Sequence, residues 1–496
     1  MHPQSASKYL SSGMGCHMKR FSLNRSILLV LAVFLLNSCS GAPGGTTTPP
    51  PGTANFTLTV TDAPPSGVSF ISFNVPITAV SLTSSTGAIV NVVTPSTPIL
   101  LDMIRLQSDS AALGTFQIPA DTYTKLTITL GVVNATFANN TSTTVGSCVA
   151  GDVCFLNSGT PGAQTITFAS PITVAGSANV GLNVDFNLNN AVTTTNGVTI
   201  DFTQANILTI PNAPVTTGNL NTIEDFAGVI TTFSNNNVTI ASGTRGTLTG
   251  VVNSSTTYTG ISSTAKVCNN TTPTASCLAA NKTVSVDATL SAAGVVTITE
   301  VDFLDDPFVD EIEGVIYPTS TTGVYNMIVS DKVNVSNNAQ LTALSAGAKI
   351  AVTLDTSVEF DVDTRNLLAS IPSGFTSSSD IFPGQEVLVR VKSTTSGTLL
   401  NVLTDRIVLR YTRTTGTVNT VSGTAFTVNN LPPFLGNSFT VPPAVQTFSG
   451  VTTFDGFSAL GDLATGSPTV SFRALYLNPA TAPNGHPFLA AKVRKH

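Results

Sequence analysis

Apolar and polar residues alternate along this chain with a period of two, and helical periodicity is almost absent. Phe56-Thr57-Leu58-Thr59-Val60-Thr61 is the first such run. Leu126-Thr127-Ile128-Thr129-Leu130, Leu182-Asn183-Val184-Asp185-Phe186-Asn187-Leu188 and Val198-Thr199-Ile200-Asp201-Phe202 repeat it. Successive side chains of a strand point to opposite faces, so the pattern describes strands with one face buried. Thr and Val suit such strands, because branched side chains pack well on a pleated surface. Gly, Pro and Asn separate the runs, which predicts antiparallel sheets stacked as a sandwich. One short helical piece is expected, around Asp102 to Leu106. The expected fold class is all-β.

The 496 residues allow roughly three or four domains with ample core. Charged residues make up 10%, well under the usual quarter, yet 42% hydrophobic residues are too many for a disordered chain. The net charge of −6 is scattered, with no basic stripe, which argues against nucleic acid as a partner.

The start of the chain gives a location. Met18 to Cys39 carries Lys19, Arg20 and Arg25, then an apolar run from Ile27 to Leu36, then Asn37-Ser38-Cys39. A basic start, a short apolar segment and small residues at the cut form an export signal. About ten apolar residues are too few to cross a bilayer, which needs roughly 20. Leu36 at minus three and Ser38 at minus one resemble the lipobox of bacterial lipoproteins, with Asn37 off the usual pattern. That resemblance implies that Cys39 is acylated and becomes the mature N-terminus; the alternative is a soluble secretion signal with an ordinary cysteine. Ser40 then favours sorting to the outer membrane of a diderm cell. Met18 is a better start than Met1, since it puts the charges directly before the apolar run. Residues 40–53, rich in Gly, Thr and Pro, read as a tether.

Setting aside Cys16 and Cys39 leaves two close pairs, Cys148 with Cys154 and Cys268 with Cys277. An exported protein meets an oxidising compartment, so two local disulfides are expected. A four-cysteine zinc site would need spacings nearer C-x2-C.

Several stretches resemble one family. Thr61-Asp62-Ala63-Pro64 follows the first strand, and Ile77-Thr78-Ala79-Val80 lies in the next. Leu100-Leu101-Asp102-Met103-Ile104-Arg105-Leu106, Ala112-Leu113-Gly114 and Ile118-Pro119-Ala120-Asp121-Thr122-Tyr123-Thr124-Lys125-Leu126 follow. Together they resemble the bacterial family called domain of unknown function 4382, found in exported proteins and lipoproteins. The resemblance covers about residues 54–210 and implies an architecture and a location, not a reaction. The family usually has Pro-Ala-Gly-Thr-Tyr; Asp121 stands in place of that Gly, so the turn is expected to differ.

After Pro211 the chain repeats itself. Gly228-Val229-Ile230, Gly314-Val315-Ile316 and Gly416-Thr417-Val418 each open a segment, and each segment closes on an apolar strand, Val295 to Val301, Leu403 to Leu409 and Leu489 to Val493. Five or six strands per segment suffice for a small barrel. The pattern resembles a second family of exported proteins, domain of unknown function 5666. The expected organisation is a signal segment (1–39), a tether (40–53), a β-sandwich (54–212) and three β-barrel-like repeats (226–306, 310–411, 412–496), strung out from the anchor.

Catalytic signals are scarce. After Cys39 the only histidines are His486, in a turn, and His496, and none of the common hydrolase, metalloprotease or nucleotide-binding motifs occurs. The acidic stretch from Glu300 to Glu313 offers calcium ligands at Asp302, Asp305, Asp306 and Asp310, although the spacing departs from an EF-hand loop. The plainer reading is an acidic connector with Asp302 and Asp310 in solvent. Asp355, Glu359, Asp361 and Asp363 form a second acidic run, and nothing singles out a carboxylate pair for glycoside hydrolysis. A glycan platform needs exposed Trp or Tyr; with no Trp, Tyr411 and Tyr476 are the candidates. The resulting expectation is a non-catalytic cell-envelope lipoprotein, structural or adhesive, with the membrane and an unidentified surface protein or glycan as partners. The alternative is a ligand-binding or accessory lipoprotein of an envelope assembly.

Overall fold

The computed structural model describes residues 52–496, apart from 64–68, 96–97, 140, 195–196, 261–276, 306–308, 318–322, 366, 368–373, 437–438, 481 and 483–484. The signal segment, Cys39, Cys268 and Asp306 lie outside the described residues.

The chain is all-β. Its N-terminal part is built from β1 (Thr53–Ala63), β2 (Ser69–Ser84), β3 (Ile89–Val93), β4 (Ile99–Asp102), a one-turn helix α1 (Met103–Leu106), β5 (Ala111–Pro119), β6 (Asp121–Leu130), β7 (Val133–Ala138), β8 (Val153–Ser158), β9 (Gly162–Val174) and β10 (Asn179–Asn187). Three two-residue strands follow, β11 (Val192–Thr193), β12 (Thr199–Ile200) and β13 (Leu208–Thr209). One sheet runs β13-β10-β1-β5 and the other β8-β7-β2-β6-β9, with β3 and β4 also on β2. Phe56, Leu58, Val60, Val184 and Phe186 of the first sheet share one core with Val80, Leu126 and Ile128 of the second. The alternation is therefore the sandwich it predicted, with one departure. Strand β1 pairs β10 in parallel, Leu58 opposite Leu182, so the sandwich is not wholly antiparallel. Alternation encodes which face is buried and is blind to strand direction.

The turn at Asp121 needs no left-handed residue. Asp121 opens β6 and accepts from Thr122 N (2.7 Å), while the Tyr123 hydroxyl donates back to Pro119 O (2.8 Å) and closes the corner.

The rest of the chain forms three units. The first holds β14 (Asn219–Ser234), β15 (Asn237–Ser242), β16 (Gly246–Val251), β17 (Thr257–Gly260), β18 (Thr283–Ser291) and β19 (Val296–Asp305). The second holds β20 (Glu311–Tyr317), β21 (Val324–Val333), β22 (Lys349–Val362), β23 (Glu386–Thr395) and β24 (Leu400–Leu409). The third holds β25 (Tyr411–Ser422), β26 (Ala425–Asn429), β27 (Ala444–Gln446), β28 (Thr453–Asp455), β29 (Thr469–Tyr476) and β30 (Phe488–Lys495).

All three follow one circuit. The first strand pairs with the second and with the penultimate, the penultimate with the last, and the last runs parallel to the third, closing the ring. Strands β17 and β28 also lie parallel on the last strand. In the second unit the second half of β22 takes that place, beyond a register shift between Leu354 and Glu359. The first hairpin is tight because Asn235 and Asn236 both take positive φ (48° and 64°), which matches the twist of the flanking strands.

The units are not strung out. The described residues form one compact body, and the apolar core of the second barrel, around Ile350 and Val402, continues into Leu475 and Leu489 of the third. The Thr57 hydroxyl of the sandwich donates to Ala292 O of the first barrel (3.0 Å).

Candidate functional site

The scarce charges turn inward, to the place where the four units meet. In β14 the ladder with β18 shifts register between Ile223 and Phe226, and this bulge carries Glu224 and Asp225 out of the pairing. Asp225 takes a left-handed φ of 50° and is buried. Its carboxylate receives Arg365 from the second barrel, and Arg413 and Arg473 from the third, the last at 3.0 Å. Arg365 reaches on to Asp287 Oδ1 (2.8 Å) and Asp363 Oδ2 (3.3 Å). From the sandwich, Arg105 of α1 spans Glu313 Oε1 (3.2 Å) and Glu386 Oε1 (3.1 Å) of the second barrel. Arg494 of β30 donates to Leu106 O and Asp109 O (2.9 Å each). Every unit contributes to this ionic centre.

Burying a charge is costly unless it is paired and hydrogen-bonded, and here Asp225, Arg105, Arg365, Arg413 and Arg473 each find a partner on another unit. Burial acts to raise the Asp225 carboxyl, but Arg365, Arg473, Arg413 and Arg410 hold it well below the ordinary range. Other acids go the opposite way. Burial pushes Glu386 up to about 7, against the pull of Arg105 and with help from nearby Glu313. Burial and then Glu224 push Asp109 up to about 6. Burial and the facing Asp363 raise Asp302 well above its ordinary value, against the pull of Arg365 and Arg410.

Beside this centre, between the sandwich and the second and third barrels, opens a cleft of about 560 Å³. Asp102, Arg105, Glu386 and Arg413 line it on the charged side, and Phe70, Phe137, Leu431 and Phe434 on the apolar side. Residues Thr412 to Thr417 of β25 run along it. Residues 53–223 match the family model Domain of unknown function (DUF4382). No curated protein matches the chain. The matched segment covers the whole sandwich and ends inside β14, one residue before Glu224 and Asp225.

The residues singled out from the sequence fall in different places. Cys148 and Cys154 form a disulfide, with Cα atoms 5.8 Å apart. Cys277 is disulfide-bonded, and its expected partner Cys268 lies outside the described residues. Asp302 and Asp310 are not in solvent: both are buried, and they do not converge. Asp302 faces Asp363 and two arginines, while Asp310 accepts from the Val335 and Ser336 amides (2.7 and 2.9 Å). Asp305 ends β19. Among the described residues no group of three or more His, Cys, Asp or Glu stands together as a metal site.

The second acidic run is likewise divided. Asp355 pairs with Lys392, Asp361 accepts from Arg406 Nε (2.9 Å), and Asp363 enters the ionic centre. Glu359 pairs opposite Arg406 in the ladder. Tyr411 and Tyr476 cannot act as a glycan platform, because both are fully buried. The Tyr411 hydroxyl donates to Thr364 O (3.0 Å), and Tyr476 stacks on Phe488 with centroids 4.7 Å apart. His486 Nδ1 lies 2.6 Å from Gln446 Oε1, and His496 Nε2 lies 2.6 Å from Ser471 Oγ. Burial pushes the His496 imidazole down to about 4, with Arg494 adding to the effect.

The ionic centre itself was not foreseen. Arg413 in Tyr-Thr-Arg-Thr-Thr and Arg473 in Ser-Phe-Arg-Ala-Leu interrupt strands that are otherwise buried, in a chain that uses charge sparingly. Isolated cations in apolar strands were the available signal.

Proposed function

We propose that this is a non-catalytic cell-envelope lipoprotein, moored through acylated Cys39, that holds its β units as one rigid arm. The observation that carries this reading is the Asp225 carboxylate, which ties the first barrel to the second and third at one buried point. Such locked packing serves a spacer or adhesive body, which must transmit load without opening at its joints. The charged groups of the centre pair with one another, and the two described histidines hydrogen-bond Gln446 and Ser471. The three barrels, which share one circuit, are in this reading copies of one module of the kind in domain of unknown function 5666. In this reading Ser40 favours sorting of the anchor to an outer membrane.

The test is fractionation. Cys39→Ala shifts the protein from the membrane to the soluble fraction, and a variant that stays with the membrane removes the anchor. A second reading, a ligand-binding or accessory lipoprotein, is favoured by the 560 Å³ cleft, whose size suits a small ligand or a short peptide.

A further inference from the structure

Strand β25 is covered along one edge by β29, but along the other β26 covers it only from Thr417 onward. The hydrogen-bonding parity follows from two bonds. Val418 N donates to Pro468 O (2.9 Å) on the β29 side, and His496 N donates to Thr469 O (3.0 Å) on the far side of β29. The main-chain groups of Thr412, Thr414 and Gly416 therefore face β29, and those of Arg413 and Thr415 face away. The chain after β26 peels off at Asn430, in left-handed backbone (φ 56°), and leaves that edge bare. Among the described residues the N–H and C=O groups of Arg413 and Thr415 have no main-chain partner.

The bare edge belongs to the cleft, since Arg413, Thr415, Asn430 and Leu431 all line it. Two side-chain atoms there, Arg413 Nε and Thr414 Oγ1, are also buried with no hydrogen-bond partner. Buried polar groups left unpaired are costly, and a row of unpaired strand amides and carbonyls is a template for another strand. The charge of the cleft selects what that strand carries. Arg413 Nε is a guanidinium donor left without an acceptor, and a carboxylate is the group whose geometry matches it.

We propose that this edge receives an extended acidic peptide from a partner protein, added as a strand beside β25 at Arg413 and Thr415. Its main chain pairs with the bare edge, one carboxylate meets Arg413 Nε, and apolar side chains on the alternate positions pack against Phe70, Phe137 and Leu431. The mode is strand addition, in which main-chain bonds give affinity and the walls give preference.

The full chain is titrated with three capped hexapeptides by fluorescence anisotropy: alternating valine and glutamate, alternating valine and lysine, and the glutamate peptide with alternate amides N-methylated. The glutamate peptide is expected to bind and to slow hydrogen exchange at the Arg413 and Thr415 amides. The lysine and N-methylated peptides are expected to bind at least about tenfold more weakly. Thr415→Pro, which removes one edge donor at a position where a strand edge tolerates proline, is expected to abolish binding. If that variant does not fold, the N-methylated peptide on the native chain decides the matter. Equal binding of the N-methylated peptide overturns strand addition, equal binding of the lysine peptide overturns the charge preference, and no binding overturns both. Concentration-dependent dimerisation that protects the same two amides assigns the edge to a second copy of the chain instead. These outcomes concern the cleft alone and leave the anchor reading to its own test.

Discussion

Arg365 and Asp225 form an ion pair in which both residues sit in left-handed backbone, φ 40° and 50°, although neither is glycine. Such a conformation costs on the order of 1 kcal/mol or more for each residue and persists only where surrounding contacts over-determine it. Here the contacts are the other partners of the same two groups: Arg413 and Arg473 on Asp225, and Asp287 and Asp363 on Arg365. Two strained residues from different barrels are thus held by the network they create.

Asp225→Asn keeps the shape of the side chain and removes its charge. Arg365, Arg413 and Arg473 then lose their common counter-ion while remaining buried. The expected loss is about 3–5 kcal/mol of stability, read by chemical denaturation, because breaking a buried pair leaves an uncompensated charge. A change below about 1 kcal/mol shows that the joint does not depend on Asp225.

The pH dependence has two limbs. Asp109 and Glu386 are raised to about 6 and about 7 in the folded chain, above their unfolded values of about 4. The stability they contribute is complete below about pH 4 and is lost as pH rises through 6 to 7. Asp225, Asp287 and Glu313 are depressed by their arginines despite burial, so their contribution is present above about pH 4 and is lost on acidification. Melting temperature should therefore peak in mild acid, and Glu386→Gln should flatten the fall between about pH 4 and 7. An unaltered profile in that variant assigns the fall to another group.

The Cys148–Cys154 bridge closes a small loop beside β8. Cys148→Ser should lower stability by about 2–3 kcal/mol, the entropy gained by so short a loop in the unfolded chain, and should expose residues 141–152 to protease. Stability equal to that of the native chain makes the bridge incidental to the fold.

How far the sequence could be read differs sharply between the strands and the site. Period-two runs such as Phe56 to Thr61 mark half-buried strands, and the expected helical piece around Asp102 to Leu106 is α1, but two further short helices, Ala339–Ala343 and Pro433–Gly436, were not expected. The third strands of the second and third barrels are hard to read from local pattern, because β27 has only three residues and the first half of β22 runs on without a break into the second. The acidic stretch was misread for a different reason. Composition made Asp302 and Asp310 look like solvent-facing neighbours, whereas Asp302 lies opposite Ser285 in the β18–β19 ladder and Asp310 caps the turn at Val335 and Ser336.

By itself the sequence determined the all-β class, the sandwich followed by three similar segments and the Cys148–Cys154 pair, since these depend on side-chain period, turn chemistry and short spacing. Only the tertiary structure decided that the four units form one body around buried charge, that Tyr411 and Tyr476 are core, and that one edge of β25 is bare. The physical reason is range. Burial, an ion pair such as Arg105 with Glu386, and the missing neighbour of a strand depend on residues far away along the chain, and local pattern carries no record of which distant surface will arrive.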